Sequence, residues 1–88
     1  MSKAKKLLEK FFPEANAIQA ASKHFMDTFK RLKDGNKAMK GALNVAVSKG
    51  MDADDAFTEL ASMDKVRMAA KSSPWNEKEI KRFIDVKF

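Results

Sequence analysis

The sequence predicts an all-α protein, a compact bundle of four or five short helices in one domain that spans residues 1–88. Residues that favour helix, above all Ala, Lys, Leu and Met, are abundant, whereas the chain has three Gly, two Pro and no Tyr. The long alternation of β-branched residues that is typical of strands is missing. A domain of 88 residues has a small core. Association can stabilise such a core, so we expect a homodimer as one assembly state.

The start of the chain predicts two helices joined at a proline. Residues 3–12 form the first, and Pro13, which has no N–H to donate, either interrupts it or begins the next. The second helix is expected over residues 14–33, with Gly35 as its left-handed C-terminal cap. Steps of three and four residues give this helix one apolar stripe, made of Ala15, Ile18, Ser22, Phe25, Phe29 and Leu32.

A third helix is expected over residues 36–48, with Gly50 as a second cap. Asp52 then begins a fourth helix at about residue 53 as its N-cap, with Asp55 at the reciprocal position of a capping box. Ser62 is a candidate break in that helix. The core-facing residues expected in the two helices are Met39, Ala42, Leu43, Ala46, Val47, Phe57, Leu60 and Ala61, continued by Met63, Val66 or Met68.

The clearest start signal in the chain precedes the last helix, predicted over residues 77–85. Asn76 is its N-cap and Glu79 stands at the reciprocal position, while Trp75 and Ile80 occupy the flanking positions of a hydrophobic staple. The final four residues are expected to fray or to form a short extended tail. The inward-facing positions of this helix are Ile80, Phe83 and Ile84.

Motifs for catalysis, cofactors or metals are absent from the sequence. His24 is the single histidine, and we interpret it as a residue at a helix surface or boundary. The acidic residues that follow Gly50 do not fit a calcium loop, because the fifth, sixth and twelfth positions counted from Asp52 hold Ala, Phe and Met. We therefore expect a protein that is not an enzyme and that binds neither cofactor nor metal.

Positive charge is concentrated in the first half of the chain. Residues 1–50 carry eleven basic and four acidic side chains, whereas residues 51–88 carry seven and eight. Lysine outnumbers arginine by fifteen to three, which favours contacts with phosphates over specific contacts with bases. The predicted nucleic-acid site has its centre in the segment FKRLKDGNKAMKG, at Lys30, Arg31, Lys33, Lys37 and Lys40, and is extended by Lys3, Lys6, Lys10 and Lys23. We call the five central residues the basic corner.

By its size, its helical character and the segment FKRLKDGNKAMKG, the chain resembles the small basic accessory proteins that large tailed phages make early in infection. Among them it is similar to the RNA-binding type that inhibits a toxin–antitoxin ribonuclease. The resemblance implies RNA binding that sequesters or displaces the antitoxin–toxin complex. It implies no particular functional residue.

Three functional hypotheses follow from these observations. The leading one is non-enzymatic binding of nucleic acid, with RNA preferred to DNA because of the resemblance. The rival is a protein-interaction module, an inhibitor or adaptor that binds an acidic host protein. The third is a helix-turn-helix regulator that uses residues 53–71. The N-terminal segment lacks the apolar run of a signal peptide and is too short for stable membrane anchoring. We therefore expect a cytoplasmic protein, in the host cytoplasm if a phage encodes it, without a membrane partner.

Overall fold

The computed structural model describes residues 13–88, which form five α-helices and no strand. The all-α bundle of short helices is therefore confirmed. The predicted helix over residues 3–12 lies outside the described residues. The five helices are α1 (Pro13–Leu32), α2 (Gly35–Ser48), α3 (Ala53–Ser62), α4 (Asp64–Ala69) and α5 (Glu77–Lys87).

The helices α1 and α2 form a hairpin around which the other elements pack, and they share the most extensive contact in the described structure. Ser22, Phe25 and Phe29 are buried on α1 as predicted, but Ala15 is exposed and Leu32 is 47% exposed. Ala17, Ala21 and Thr28 are buried in addition. The predicted stripe therefore holds in the middle of α1 and fails at its first and last positions. Small side chains at the shared face let the two helices approach closely.

The prediction that Gly35 is a left-handed cap is wrong. Lys33 holds the left-handed conformation, with φ of 53°, and its N–H donates to the carbonyl of Phe29 at 2.7 Å. Gly35 is instead the first residue of α2. The second predicted cap is confirmed, because Gly50 has φ of 98° and its N–H donates to the carbonyl of Val47 at 2.9 Å.

The fourth predicted helix begins where its signal indicates and breaks near Ser62. The Asp52 carboxylate accepts from the backbone N–H of Asp55 at 3.2 Å. Met63 is extended, with φ of −80° and ψ of 121°, and separates α3 from α4. The core prediction holds for Phe57, Leu60 and Val66, which are buried, but Met68 is 74% exposed and takes no part in the core. The break shifts the helical phase, so the periodicity before Met63 does not continue after it.

The last helix is longer than predicted. The Asn76 side chain accepts from the backbone N–H of Glu79 at 3.1 Å, which confirms the cap. Helix α5 continues to Lys87, two residues beyond the predicted end, and the N–H of Phe88 donates to the carbonyl of Ile84 at 2.9 Å. The Phe88 ring meets the Phe83 ring edge to face, with centroids 5.8 Å apart. This aromatic contact holds the end that was expected to fray.

Trp75 joins the segment before α5 to the core. Its ring is half-buried and perpendicular to the Phe25 ring, with centroids 5.7 Å apart. We expect Trp75→Ala to lower the free energy of unfolding by about 2 kcal/mol, since the ring is only partly removed from water. Urea unfolding measures this loss. The exposed Met68→Ala is the control and should change it by less than about 0.5 kcal/mol; equal effects of the two variants would contradict the assigned role of Trp75.

Candidate nucleic-acid interface

The basic corner lies at the closed end of the hairpin. Lys30 and Arg31 occupy the last turn of α1, Lys33 lies in the connection and Lys37 lies in the first turn of α2. All four side chains are exposed. The ion pairs found among residues 13–88 join Lys40 to Glu79, Arg67 to Asp64 and Lys81 to Glu77. None of them neutralises these four cations, so their charge is available to a ligand.

Two of these lysines occupy positions at which other residue types would make the local structure more stable. Lys33 has φ of 53°, a conformation in which an L-residue costs about 1–2 kcal/mol and which glycine adopts freely. Lys37 lies in the first turn of α2, which contains no acidic side chain. The positive end of the helix dipole disfavours a cation there. By contrast, the dipole of α1 favours Lys30 and Arg31 at its C-terminal end.

The single acidic residue of the corner is committed to the backbone. The Asp34 carboxylate accepts from the N–H groups of Asn36 at 2.9 Å and Lys37 at 3.2 Å, as the N-cap of α2. This cap satisfies two of the N–H groups that a helix start leaves without partners. Asp34 therefore stabilises the corner by hydrogen bonding to the main chain, and its presence does not cancel the surrounding lysine charge by direct pairing.

Lys40 differs from the other members of the basic corner. Its side chain is half-buried, and its Nζ lies 3.0 Å from Glu79 Oε2 and 5.6 Å from the centroid of the Phe83 ring. Glu79 was expected to complete a capping box with Asn76, and that half of the prediction is wrong. Its carboxylate pairs with Lys40 instead, because α5 packs beside α2. Lys40 thus connects the basic corner to the surface of α5.

The segment before α5 is docked on the corner through contacts that the sequence did not predict. The N–H of Gly35 donates to the carbonyl of Ser73 at 2.9 Å. The side-chain oxygen of Asn36 accepts from the N–H of Asn76 at 2.6 Å. A β-carbon on Gly35 would collide with the Ser73 carbonyl and approach Trp75 N to 2.6 Å. Gly35 and Asn36 thus hold this segment in place. The sequence signal for this contact was a glycine at a corner, and it predicted a helix cap instead.

The remaining predicted site residues lie away from the corner or outside the described part of the chain. Lys23 is exposed on α1, two helical turns before Lys30. His24 is half-buried beside Gly41, where a β-carbon would lie 2.8 Å from its Nε2 atom. This position agrees with a boundary histidine. The three predicted residues for which no structure is described are Lys3, Lys6 and Lys10.

Comparison with known proteins identifies no relative. No protein-family model, curated protein or solved structure matches the chain. The resemblance to phage accessory proteins therefore stays a prediction. Between residues 13 and 88, no helix is both long and apolar enough to cross a membrane, and no three acidic or histidine side chains are grouped so that they could hold a metal ion.

The conformation of Lys33 gives a direct test of its role. We expect Lys33→Gly to raise the free energy of unfolding by about 1 kcal/mol, because glycine adopts a positive φ without steric strain. The same change should weaken the binding of polyanions, since it removes one cation from the corner. Chemical denaturation and a salt-dependent binding series measure the two effects. Lys30→Gly, in the helical last turn of α1, is the control for stability and should lower it by about 1 kcal/mol.

A less stable Lys33→Gly variant would mean that the lysine side chain itself stabilises the connection. In that case its unusual conformation would have a structural explanation, and it would no longer support a binding role.

Proposed function

We propose that this protein binds nucleic acid without catalysing a reaction, and that it holds the phosphate backbone through the basic corner. The observation that carries the proposal is the placement of Lys33 and Lys37, two cations kept where local stability favours glycine and an acidic residue. Local conflicts of this kind are typical of functional positions, because a fold selected only for stability removes them.

The chemistry of the corner suits phosphates. Its four exposed cations lie on two helix ends and the short connection between them, so they are concentrated in one short part of the surface. Three of the four are lysines, which act as point charges and seldom contact a base edge through two hydrogen bonds at once. Binding should therefore depend strongly on salt and weakly on sequence.

RNA is the preferred ligand in this proposal because of the resemblance to phage RNA-binding inhibitors. A protein of that kind acts by binding RNA. In a toxin–antitoxin system, RNA binding at the basic corner would sequester or displace the antitoxin–toxin complex without any chemical step.

The decisive experiment compares three ligands on the full chain. Nuclease-treated protein is titrated with labelled RNA, single-stranded DNA and duplex DNA of one sequence, over a range of salt concentrations. We expect all three to bind, RNA most tightly, with affinity falling linearly on a log–log plot against salt. Absence of binding to all three at low salt would overturn the proposal. Capture of an acidic protein partner that survives nuclease treatment would instead support the interaction-module hypothesis.

A further inference from the structure

A groove on α5 lies next to the basic corner and combines exposed apolar atoms with positive charge. It has a volume of about 370 Å³, and the residues that line it are Lys40, Glu79, Arg82, Phe83, Val86 and Lys87. Phe83 is half-buried and Val86 is 83% exposed. The groove therefore has an aromatic and aliphatic floor that is partly exposed to solvent, with the Phe88 ring packed against Phe83 at a centroid distance of 5.8 Å.

Two lysines lie over the aromatic ring that lines this groove. The Nζ atoms of Lys40 and Lys87 lie 5.6 Å and 5.7 Å from the centroid of the Phe83 ring. Arg82 supplies a third positive charge, and the one carboxylate that lines the groove, Glu79, is paired with Lys40 at 3.0 Å. Three cations against one acid leave the groove positive, which fits a ligand that carries an anionic backbone and a flat apolar group.

From this arrangement, we infer that the groove is a stacking site for an unpaired base of single-stranded nucleic acid. Proteins that bind single strands combine aromatic rings for the bases with cations that follow the backbone. Lys40 connects the other cations of the basic corner to the groove. It lies three residues after Lys37 on the same side of α2, and its Nζ lies over the Phe83 ring. A strand held at the basic corner can place a base on Phe83, whereas the paired bases of a duplex are not free to do so.

This inference rests on the proposed function and adds that single strands are preferred. The test uses Phe83→Leu, which keeps an apolar side chain but removes the ring. The probes are an oligothymidine of about 12 nucleotides, within the known range of site sizes, and a duplex DNA of equal length. We expect the affinity for the single strand to fall about tenfold, and the affinity for the duplex to stay unchanged.

Two variants complete the design. Phe57→Leu removes a ring from α3, outside the groove, and should leave both affinities unchanged. Phe83→Tyr keeps a ring in the groove and should bind the single strand like the wild type. Thermal unfolding verifies that each variant is folded. For the case in which Phe83→Leu does not fold, the wild-type protein provides a second measurement, the NMR shifts of the Phe83 ring protons on addition of oligothymidine.

The outcomes separate the two proposals. Unchanged single-strand affinity in Phe83→Leu, equal losses for strand and duplex, or ring protons that do not shift on binding would overturn the stacking site and leave phosphate binding intact. A wild-type protein that binds neither probe and does not bind RNA would overturn the proposed function itself.

Discussion

Gly35→Ala is expected to lower the free energy of unfolding by about 3 kcal/mol, at the upper end of the usual range for overpacking. The added β-carbon would collide with the carbonyl of Ser73 and lie 2.6 Å from Trp75 N and 2.7 Å from Pro74 C. These are backbone atoms, which cannot rotate away as a flexible side chain can. The N–H of Gly35 would also lose its bond to Ser73, now 2.9 Å long. Denaturant unfolding of the variant measures the loss.

Gly41→Ala is the matched control for this prediction. Its β-carbon would meet only the ring of His24, at 2.8 Å from Nε2, and that ring can turn aside. Alanine also favours the helix by about 1 kcal/mol over glycine, so the net change should lie within about 1 kcal/mol of zero. A stable Gly35→Ala variant would mean that the segment before α5 moves away from the corner at little cost.

The second large effect concerns the charge of the basic corner. Replacing Lys30, Lys33 and Lys37 with Gln should flatten the slope of log affinity against log salt by about two units, since each lost phosphate contact removes about 0.7–0.9 units. If both proteins extrapolate to one affinity at about 1 M salt, the variant binds about 100-fold more weakly at about 0.1 M. Lys40 is left in place because its removal would leave Glu79 unpaired and add a negative charge beside the groove. Fluorescence anisotropy over a salt series measures the slope.

A second triple variant removes the same net charge elsewhere. Lys71, Lys78 and Lys81 are exposed, and none of them lines the groove around Phe83. Lys81 is already paired with Glu77 at 3.5 Å. Replacing these three with Gln should change the slope little. Equal losses from both triple variants would show that net charge alone drives binding, and the basic corner would then be an ordinary solvated helix surface.

The candidate site was predictable only in part, because one half depends on the local sequence and the other on contacts between helices that are distant in the sequence. The crowding of Lys30, Arg31, Lys33 and Lys37 around a corner is a property of one short segment, and the hairpin retains it. The contact of Lys40 with Phe83 joins residues from α2 and α5, and no local pattern indicates it. The sequence could identify the cations, but the partner of each depends on which helices pack side by side.

The sequence by itself determined the fold class and most helix starts and ends. The side chains of Asp52 and Asn76 each accept from an N–H three residues ahead, and Gly50 takes up a positive φ within its own turn. These interactions span only a few residues, so they operate in the same way in any surrounding fold. Helix boundaries marked by such residues were therefore correct to within about two residues.

Only the tertiary structure decided the roles of Gly35, Asn36 and Glu79. A glycine after a helix can be a left-handed cap or a point of close approach, and a glutamate near a helix start can bond its own cap or a lysine on another helix. The choice depended on the docking of the Ser73 carbonyl against Gly35 and of Asn76 against Asn36, a hydrogen bond across 40 residues. Burying the core brings these distant groups together. An N–H or a carboxylate that then faces a neighbouring element gains most from a hydrogen-bond or ion-pair partner on that element.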